Sequence, residues 1–374
     1  MPRPKIAFVY DRVNKWGGAE RVLLALHEIW PEAPLFTSVY DPKGAPWAKD
    51  FEVIPSFLQK IPFVQSRHEM LAPLMPIAFE SFNFDDYEVI ISVTSEAAKG
   101  IITKPKTLHL CYCLTPTRYL WSGYEDYFSS TARQLVSLPA IGYLRKWDQI
   151  AAQRPDYYIA ISENVRRRIR KYYQREAEVV YPAVDTERFK GSKVQRFKVN
   201  TKYKIQDTRY FLVVSRLVPY KRIDIAVEAF NQLGWPLKIV GTDSEMRRLK
   251  RMAKDNIEFL GQLTDEKLIR YYQGCQAVVF PQEEDFGLVP LEAQACGKPV
   301  IAYNGGGALE TVVAGKTGLF FYPQTAAALI KSLKGLKSLT FKAGDCRKQA
   351  EKFSKEIFKK KFRKVVENLV KQKR

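Results

Sequence analysis

Two glutamates, Glu284 and Glu292, stand eight residues apart in FPQEEDFGLVPLEAQACGKPVIAYNGGG, the string from Phe280 to Gly307. An ionised carboxylate only accepts hydrogen bonds and can take a bidentate pair, so acids on either side of a turn suit hydroxyl groups. Gly287 marks a turn between them, after an apolar strand expected over Gln276 to Phe280 and before a helix expected to open near Val289. The first carboxylate then sits on the loop and the second on the first turn of the helix. Such a junction offers free backbone N–H groups and the positive end of the helix dipole, which suits a phosphate. The same pair is also compatible with a plain loop acid and an early-helix acid favoured by the dipole. A ligand with an anionic centre and hydroxyl-rich ends is a nucleotide sugar.

Cations stand where they could offset a leaving phosphate. The run VVSRLVPYKR puts Arg216 just past an apolar strand and Lys221 after a proline turn. The crevice beyond the carboxyl ends of parallel strands is the usual ligand position in open α/β sheets. Near the start of the chain, KWGGAERVL places Gly17 and Gly18 between a strand and a helix. Paired glycines there let backbone approach a ligand closely. The loop is neither a GxGxxG fingerprint nor a Walker A loop, so a nicotinamide cofactor and a P-loop nucleotidase are not indicated. Asp285-Phe286-Gly287 spells the kinase metal-binding triplet, but no His-Arg-Asp loop precedes it.

The segment from Glu284 to Val300 resembles the Glu-x7-Glu signature, E-G-F-G-L-x-x-L-E-A-x-A-C-G-x-P-V, of the retaining glycosyltransferases usually grouped as family four. Asp285 replaces the usual glycine. GGAERV resembles the family's loop facing donor phosphates and acceptor, and SRLVPYKR its phosphate-binding segment. Ile239-Val240-Gly241 and Phe259-Leu260-Gly261-Gln262-Leu263 resemble the strand ends that bracket the nucleotide base. Tyr181-Pro182-Ala183-Val184-Asp185 and Ser162-Glu163-Asn164-Val165 resemble landmarks near the hinge. In CYCLTPTRYLW, Leu114 stands where a histidine is common in the mannosyltransferase-like members. His109 lies on the preceding strand and reads as structural.

The resemblance covers nearly the whole chain. It implies an α/β GT-B fold, with two Rossmann-like domains facing each other across a cleft. It implies transfer of a hexose, mannose-like by preference and from a GDP-mannose-type donor, to a glycan or lipid-linked hydroxyl in cell-surface polysaccharide synthesis. Configuration would be retained, by a front-face attack assisted by the leaving group. Glu284, Arg216 and Lys221 inherit the catalytic roles, and Thr115 and Arg118 the acceptor side. Gly17, Gly18, Gly241, Leu263, Phe286, Gly287, Leu288, Val289 and Glu292 inherit donor binding. No metal and no cofactor is implied, the nucleotide sugar being a co-substrate. A non-catalytic member of the fold is the alternative that Leu114 and Asp285 leave open.

The elements that must position these residues are legible in the pattern. At 374 residues the chain is long enough for two or three domains. Short apolar runs alternate with helical patterns throughout, the mark of parallel α/β domains. Strands are expected at Lys5–Tyr10, Leu35–Val39, Val89–Val93, Leu108–Cys111, Tyr157–Ile161 and Val179–Tyr181. The second half repeats the pattern at Tyr210–Ser215, Leu237–Val240, Ile257–Leu260, Ala277–Phe280, Val300–Tyr303 and Leu319–Phe321. The polar stretch from Asp185 to Thr208 reads as the connection, which places one domain at 1–190 and the other at 191–352. Phe358, Phe362, Val365 and Leu369 fall on one face of a last helix with lysines opposite. By the resemblance, residues from about 353 to 374 return to pack on the first domain. The alternative is a basic amphipathic helix lying on a membrane.

The formal net charge of +20 implies an acidic partner. Basic residues crowd at Arg166–Arg175, Arg247–Arg251 and Lys342–Arg374. An anionic membrane surface is the expected partner, helped by the apolar stretch Phe57–Phe82, which reads equally as a core helix with its loop. No recognition helix, zinc finger or aromatic RNA-binding strand pair is present in the pattern, so no nucleic acid is expected; a basic nucleic-acid-binding protein is the rival reading. The five cysteines form no CxxC pair, and with three histidines a structural zinc is not indicated. No apolar run approaches the roughly 18 residues of a membrane span, and the start lacks a signal-peptide pattern. The expected location is cytoplasmic, peripheral at the inner membrane face.

Overall fold

In the computed structural model residues 4–62, 68–124, 131–190 and 210–373 are described, the side chains of 68–70, 131–137 and 337 excepted. The chain forms two compact units, one of residues 1–183 with 358–374, the other of residues 184–357.

The first unit is built on a seven-stranded sheet. Its strands are β1 (Ile6–Tyr10), β2 (Leu35–Thr37), β3 (Val53–Pro55), β4 (Val89–Thr94), β5 (Leu108–Cys113), β6 (Tyr157–Ala160) and β7 (Glu178–Val179). They lie in the order β3-β2-β1-β4-β5-β6-β7, every pairing parallel. β1, β4 and β5 are buried along their whole length. Strands covered on both faces read as unbroken apolar runs, and that is why they were legible. β3 was not expected. It has three half-buried residues and ends in proline, which fits a sheet edge, where a missing N–H costs nothing.

The second unit has a six-stranded parallel sheet. Its strands are β8 (Phe211–Val214), β9 (Leu237–Val240), β10 (Ile257–Gly261), β11 (Val278–Phe280), β12 (Val300–Tyr303) and β13 (Gly318–Phe321), in the order β10-β9-β8-β11-β12-β13. β11 begins at Val278, after both expected starts, Gln276 and Ala277. Two apolar clusters are assembled on this sheet, one including Phe211, Phe230 and Ile239, the other Leu212, Tyr272 and Phe280.

In each sheet the chain reverses its direction of travel between two neighbouring central strands, β1 and β4 in the first and β8 and β11 in the second. The loops leaving those strands diverge and open a crevice at the carboxyl edge. These two switch points position the residues discussed below.

The expected boundary at 190 moves to 183/184. Thr186–Lys190 is helical, and its Phe189 packs edge-on against Tyr272 of the second unit, ring centroids 5.9 Å apart. Most of the expected connection, 191–209, lies outside the described residues. At the other end Phe353 packs on Phe286, so the second unit continues past 352. The last helix, Lys355–Lys373, sets Phe358 and Phe362 against Tyr112, and Phe362 against Trp30. Its apolar face is covered by the first unit, so the alternative of that face lying on a membrane does not hold.

Part of Phe57–Phe82 lies outside the described residues, but Leu58, Met75, Ala78 and Phe79 belong to the first unit's core. Phe57, Leu74 and Ile77 are exposed. Among the described residues no helix is long and apolar enough to cross a membrane. All five cysteines are buried free thiols.

Candidate active site

At the switch point of the second sheet, the loop after β8 carries Arg216 and Lys221, and the loop after β11 carries Glu284. Lys221 lies in the short turn Pro219–Lys221, whose proline presets φ. Its Nζ donates to Oε1 of Glu284 at 2.5 Å, joining the two loops across the crevice. The amide of Gln282 donates to the same oxygen at 3.1 Å. The Lys221 and Glu284 side chains are 12% and 24% exposed, shielded from bulk water yet open to a ligand. Arg216 stands further out, 60% exposed, its guanidinium donating to the Tyr220 hydroxyl at 2.6 Å.

The loop holding Glu284 is fixed from behind by the glycine run after β12. The Gly307 N–H donates to the Glu284 carbonyl at 2.8 Å. A Cβ on Gly306 would meet that carbonyl oxygen at 2.3 Å, and one on Gly307 would meet the Phe286 carbonyl oxygen at 2.3 Å. Only glycines allow this close backbone stacking. Gly305–Gly307 were read in the opening string without a role, although three consecutive glycines after a strand are a signal of close approach.

Helix Leu288–Ala295 is preceded by Gly287 at φ +89°, a left-handed cap that sets the first helical residue at Leu288. Pro290 has no N–H, so the amides free to point at a ligand near this end belong to Leu288 and Val289, both partly exposed. Glu292 is the fifth helical residue and falls on the second turn, not the first. It is only 4% exposed and accepts a hydrogen bond from the Tyr272 hydroxyl at 2.8 Å. The two glutamates are thus unlike: one partly open on a loop, one buried under a helix.

Phe286 is 3% exposed and packs on Phe353, so it anchors the loop instead of lining open space. Gly241 has φ +128°, and a Cβ there would lie 1.8 Å from the Ser215 carbonyl oxygen. Its smallness serves close packing against the Arg216 loop. Leu263 is partly buried against the core cluster of Phe280.

In the first unit, Gly17 caps helix Gly18–His27 with extended backbone. Glu20 on that helix is buried and accepts from the Tyr10 hydroxyl at 2.6 Å; burial pushes its carboxyl up from the ordinary value. Thr115 is buried at 7% and Arg118 is partly exposed. At this sheet's switch point the Asp11 carboxylate is consumed internally. It accepts from the Thr94 hydroxyl at 2.8 Å and from the N–H groups of Ser95, Glu96 and Ala98 at 2.7, 3.1 and 2.8 Å. Beside it Arg12 pairs with Glu96. Burial raises the Glu96 carboxyl, and the Arg12 charge works against that rise. Neither Asp11 nor Glu96 was singled out from the sequence. His109 is buried within β5 with Nε2 2.9 Å from the Ser92 hydroxyl, and burial lowers it to about 3, so the ring is neutral.

Similarity to known proteins agrees with this geometry. Residues 195–355 match the family described as Glycosyl transferases group 1. A GDP-mannose-dependent alpha-(1-6)-phosphatidylinositol monomannoside mannosyltransferase of Mycolicibacterium smegmatis is 34% identical over 155 residues, 37% of this chain and 41% of that protein. An alpha-1,3/1,6-mannosyltransferase of Dictyostelium discoideum is 25% identical over 291 residues, 68% of this chain and 67% of that one. The chain spans 41% to 48% of the length of the first curated relatives it matches. The crystal structure of Anabaena HepE in complex with UDP and glucose superposes with a TM-score of 0.71 at 20% identity, covering 98% of this chain and 100% of that one. The fold is GT-B, with two Rossmann-like units, and the second unit is similar to the Glycosyl transferases group 1 family over residues 195–355.

Proposed function

We propose that the protein transfers a hexose, mannose by preference, from a nucleotide diphosphate sugar to a hydroxyl of a glycan or lipid-linked acceptor, with retention of configuration, in polysaccharide synthesis. The observation that carries this reading is the Lys221–Glu284 contact across the second sheet's switch point. A cation and a carboxylate side by side suit a diphosphate and the sugar attached to it. The names of the relatives support a mannose donor and a glycan or lipid acceptor.

In this mechanism the bond from the anomeric carbon to the diphosphate breaks, negative charge builds on the leaving oxygens, and the acceptor hydroxyl oxygen bonds to that carbon from the same face while its proton passes to a leaving phosphate oxygen. Lys221 and Arg216, with the amides of Leu288 and Val289, offset that charge; preorganised electrostatic stabilisation of this kind is usually the largest catalytic contribution. Glu284 accepts from hydroxyls of the transferred sugar. An ammonium has three protons, so Lys221 can hold Glu284 and a phosphate oxygen together. Glu292, tied to Tyr272, holds the ribose. No metal takes part. Thr115 and Arg118 serve the acceptor. A panel of nucleotide sugars, tested for hydrolysis and for thermal stabilisation of the protein, tests the reading. Absence of both with every donor would overturn it.

The acceptor is met at an anionic membrane surface. Supporting this, helix Glu163–Tyr173 buries Val165, Ile169 and Tyr173 and exposes Arg166, Arg167, Arg170 and Lys171. Lysine or arginine near anionic lipid contributes about 1 kcal/mol each, so a few suffice for reversible attachment. Co-sedimentation with liposomes should rise with anionic lipid and fall with salt. Protein left in the supernatant at low salt would favour a soluble acceptor.

A further inference from the structure

Beneath the carboxyl edge of the first sheet lies an ion pair that the proposed chemistry does not use. Lys99 follows β4 and Asp148 sits on helix Thr131–Ala151. Their side chains are 2% and 1% exposed, with Nζ 2.5 Å from Oδ1. Burial alone would lower the Lys99 ammonium's pKa, but the Asp148 charge and hydrogen bond outweigh it and the net shift is upward. A dry ion pair is weak support for stability, because an apolar pair of similar volume is often equally stable or more so. Stability therefore does not account for it.

Its other contacts do. Asp148 Oδ1 accepts from the Thr117 hydroxyl at 2.9 Å, and Oδ2 from the Trp121 indole N–H at 2.7 Å. Lys99 Nζ donates to the Glu96 carbonyl and lies 3.4 Å from the Thr117 hydroxyl oxygen. The pair thus grips both loops that leave β4 and β5, the one bearing Glu96 and the one bearing Thr115, Thr117, Arg118 and Trp121. Leucine or methionine would fill the same space and hold neither loop. Asparagine at 148 would turn an N–H₂ toward one of three donors, so even an isosteric change breaks part of the grip.

We propose that Lys99 and Asp148 are positioning residues, which hold the Thr115–Trp121 loop and the backbone of Glu96 in the arrangement that receives the acceptor hydroxyl. This rests on the reading of that loop as the acceptor side. The tether itself is testable without any substrate.

The double variant Lys99→Met/Asp148→Leu should remain folded, with parental circular dichroism and a lowered thermal midpoint, because Thr117 and Trp121 lose their acceptor. Hydrogen exchange of the backbone amides of 117–123 should quicken by about tenfold or more while helix Leu288–Ala295 keeps its protection. With GDP-mannose as donor and a synthetic polyprenyl-diphosphate-linked sugar as acceptor, KM for the acceptor should rise by about tenfold, with donor KM and donor hydrolysis within about twofold. Unchanged exchange across 117–123 in the folded double variant would overturn the proposal, as would equal changes in donor and acceptor KM. Should the double variant not fold, Asp148→Asn must give the same two changes, and failure there overturns the idea equally. Inactivity of the parent protein towards every nucleotide sugar would instead remove the transferase reading; the exchange measurement then decides the tether alone.

Discussion

The two switch points spend their charges differently. In the second unit, Lys221 and Glu284 meet at partial exposure, and Arg216 stands in solvent. In the first unit the Arg12–Glu96 pair keeps a similar partial exposure, but Asp11 is consumed by backbone amides, and Lys99 and Asp148 are sealed from water. Charges left open keep hydrogen-bonding capacity for a ligand. Charges sealed inside have spent theirs on shaping loops. Similar residue types on two copies of one sheet topology can thus be open or sealed, and the difference is legible in exposure and bonding, not in residue type.

The comparison is sharpest if one member of each pair is removed. Asp148→Ala strands a buried ammonium and should cost about 3–5 kcal/mol of stability. Glu284→Ala, in a partly exposed pair, should cost clearly less, about 1 kcal/mol. Urea unfolding of both variants checks this, and equal losses would erase the distinction.

Turnover should respond in the reverse sense. Lys221→Ala should lower the rate of sugar transfer about 100-fold, near 3 kcal/mol, because it removes charge stabilisation from a partly dry site, and the more exposed Arg216→Ala should lower it less. Far-UV circular dichroism should not change. Near-parental rates in both variants, with a verified donor, would sink the assignment of the phosphate site.

The sealed unit should also carry a pH signature. The folded pKa of His109 is about 3, because burial disfavours the imidazolium. The unfolded value is ordinary, about 6.5. Above that pH both states are neutral at this site and nothing changes. As pH falls from 6.5 toward 3 only the unfolded chain takes the proton, so stability declines, by roughly 3 kcal/mol at pH 4.5 from this group. His109→Asn should flatten that part of the stability–pH curve; an identical slope in variant and parent would assign the acid sensitivity elsewhere.

A subtler contrast lies within the second unit. Glu284→Gln should lower the transfer rate with little effect on nucleotide affinity, since the sugar contact strengthens as charge develops. Glu292→Gln should weaken nucleotide binding by about tenfold with a smaller effect on turnover, the ribose being held in ground and transition states alike. Calorimetry with GDP together with steady-state kinetics separates the two, and the opposite pattern would mean that the roles are exchanged.

The sequence by itself determined the alternation of buried strands and helices, because a parallel sheet covered on both faces needs continuous apolar runs such as Ile6–Tyr10 and Val300–Tyr303. It also determined which loops carry the proposed site residues, since Glu284, Arg216 and Lys221 follow such runs closely. The short edge strand Val53–Pro55 escaped because three half-buried residues make no pattern. Tertiary structure alone decided which of two similar glutamates is open. Glu292 meets Tyr272, from another helix, and the left-handed Gly287 cap fixes where the helix begins. It alone brought Lys99 to Asp148, and both to Thr117 and Trp121. Local pattern encodes which face of an element is apolar; the pairing of charges from distant elements is settled only when packing brings them together and excludes the water that would otherwise have solvated them.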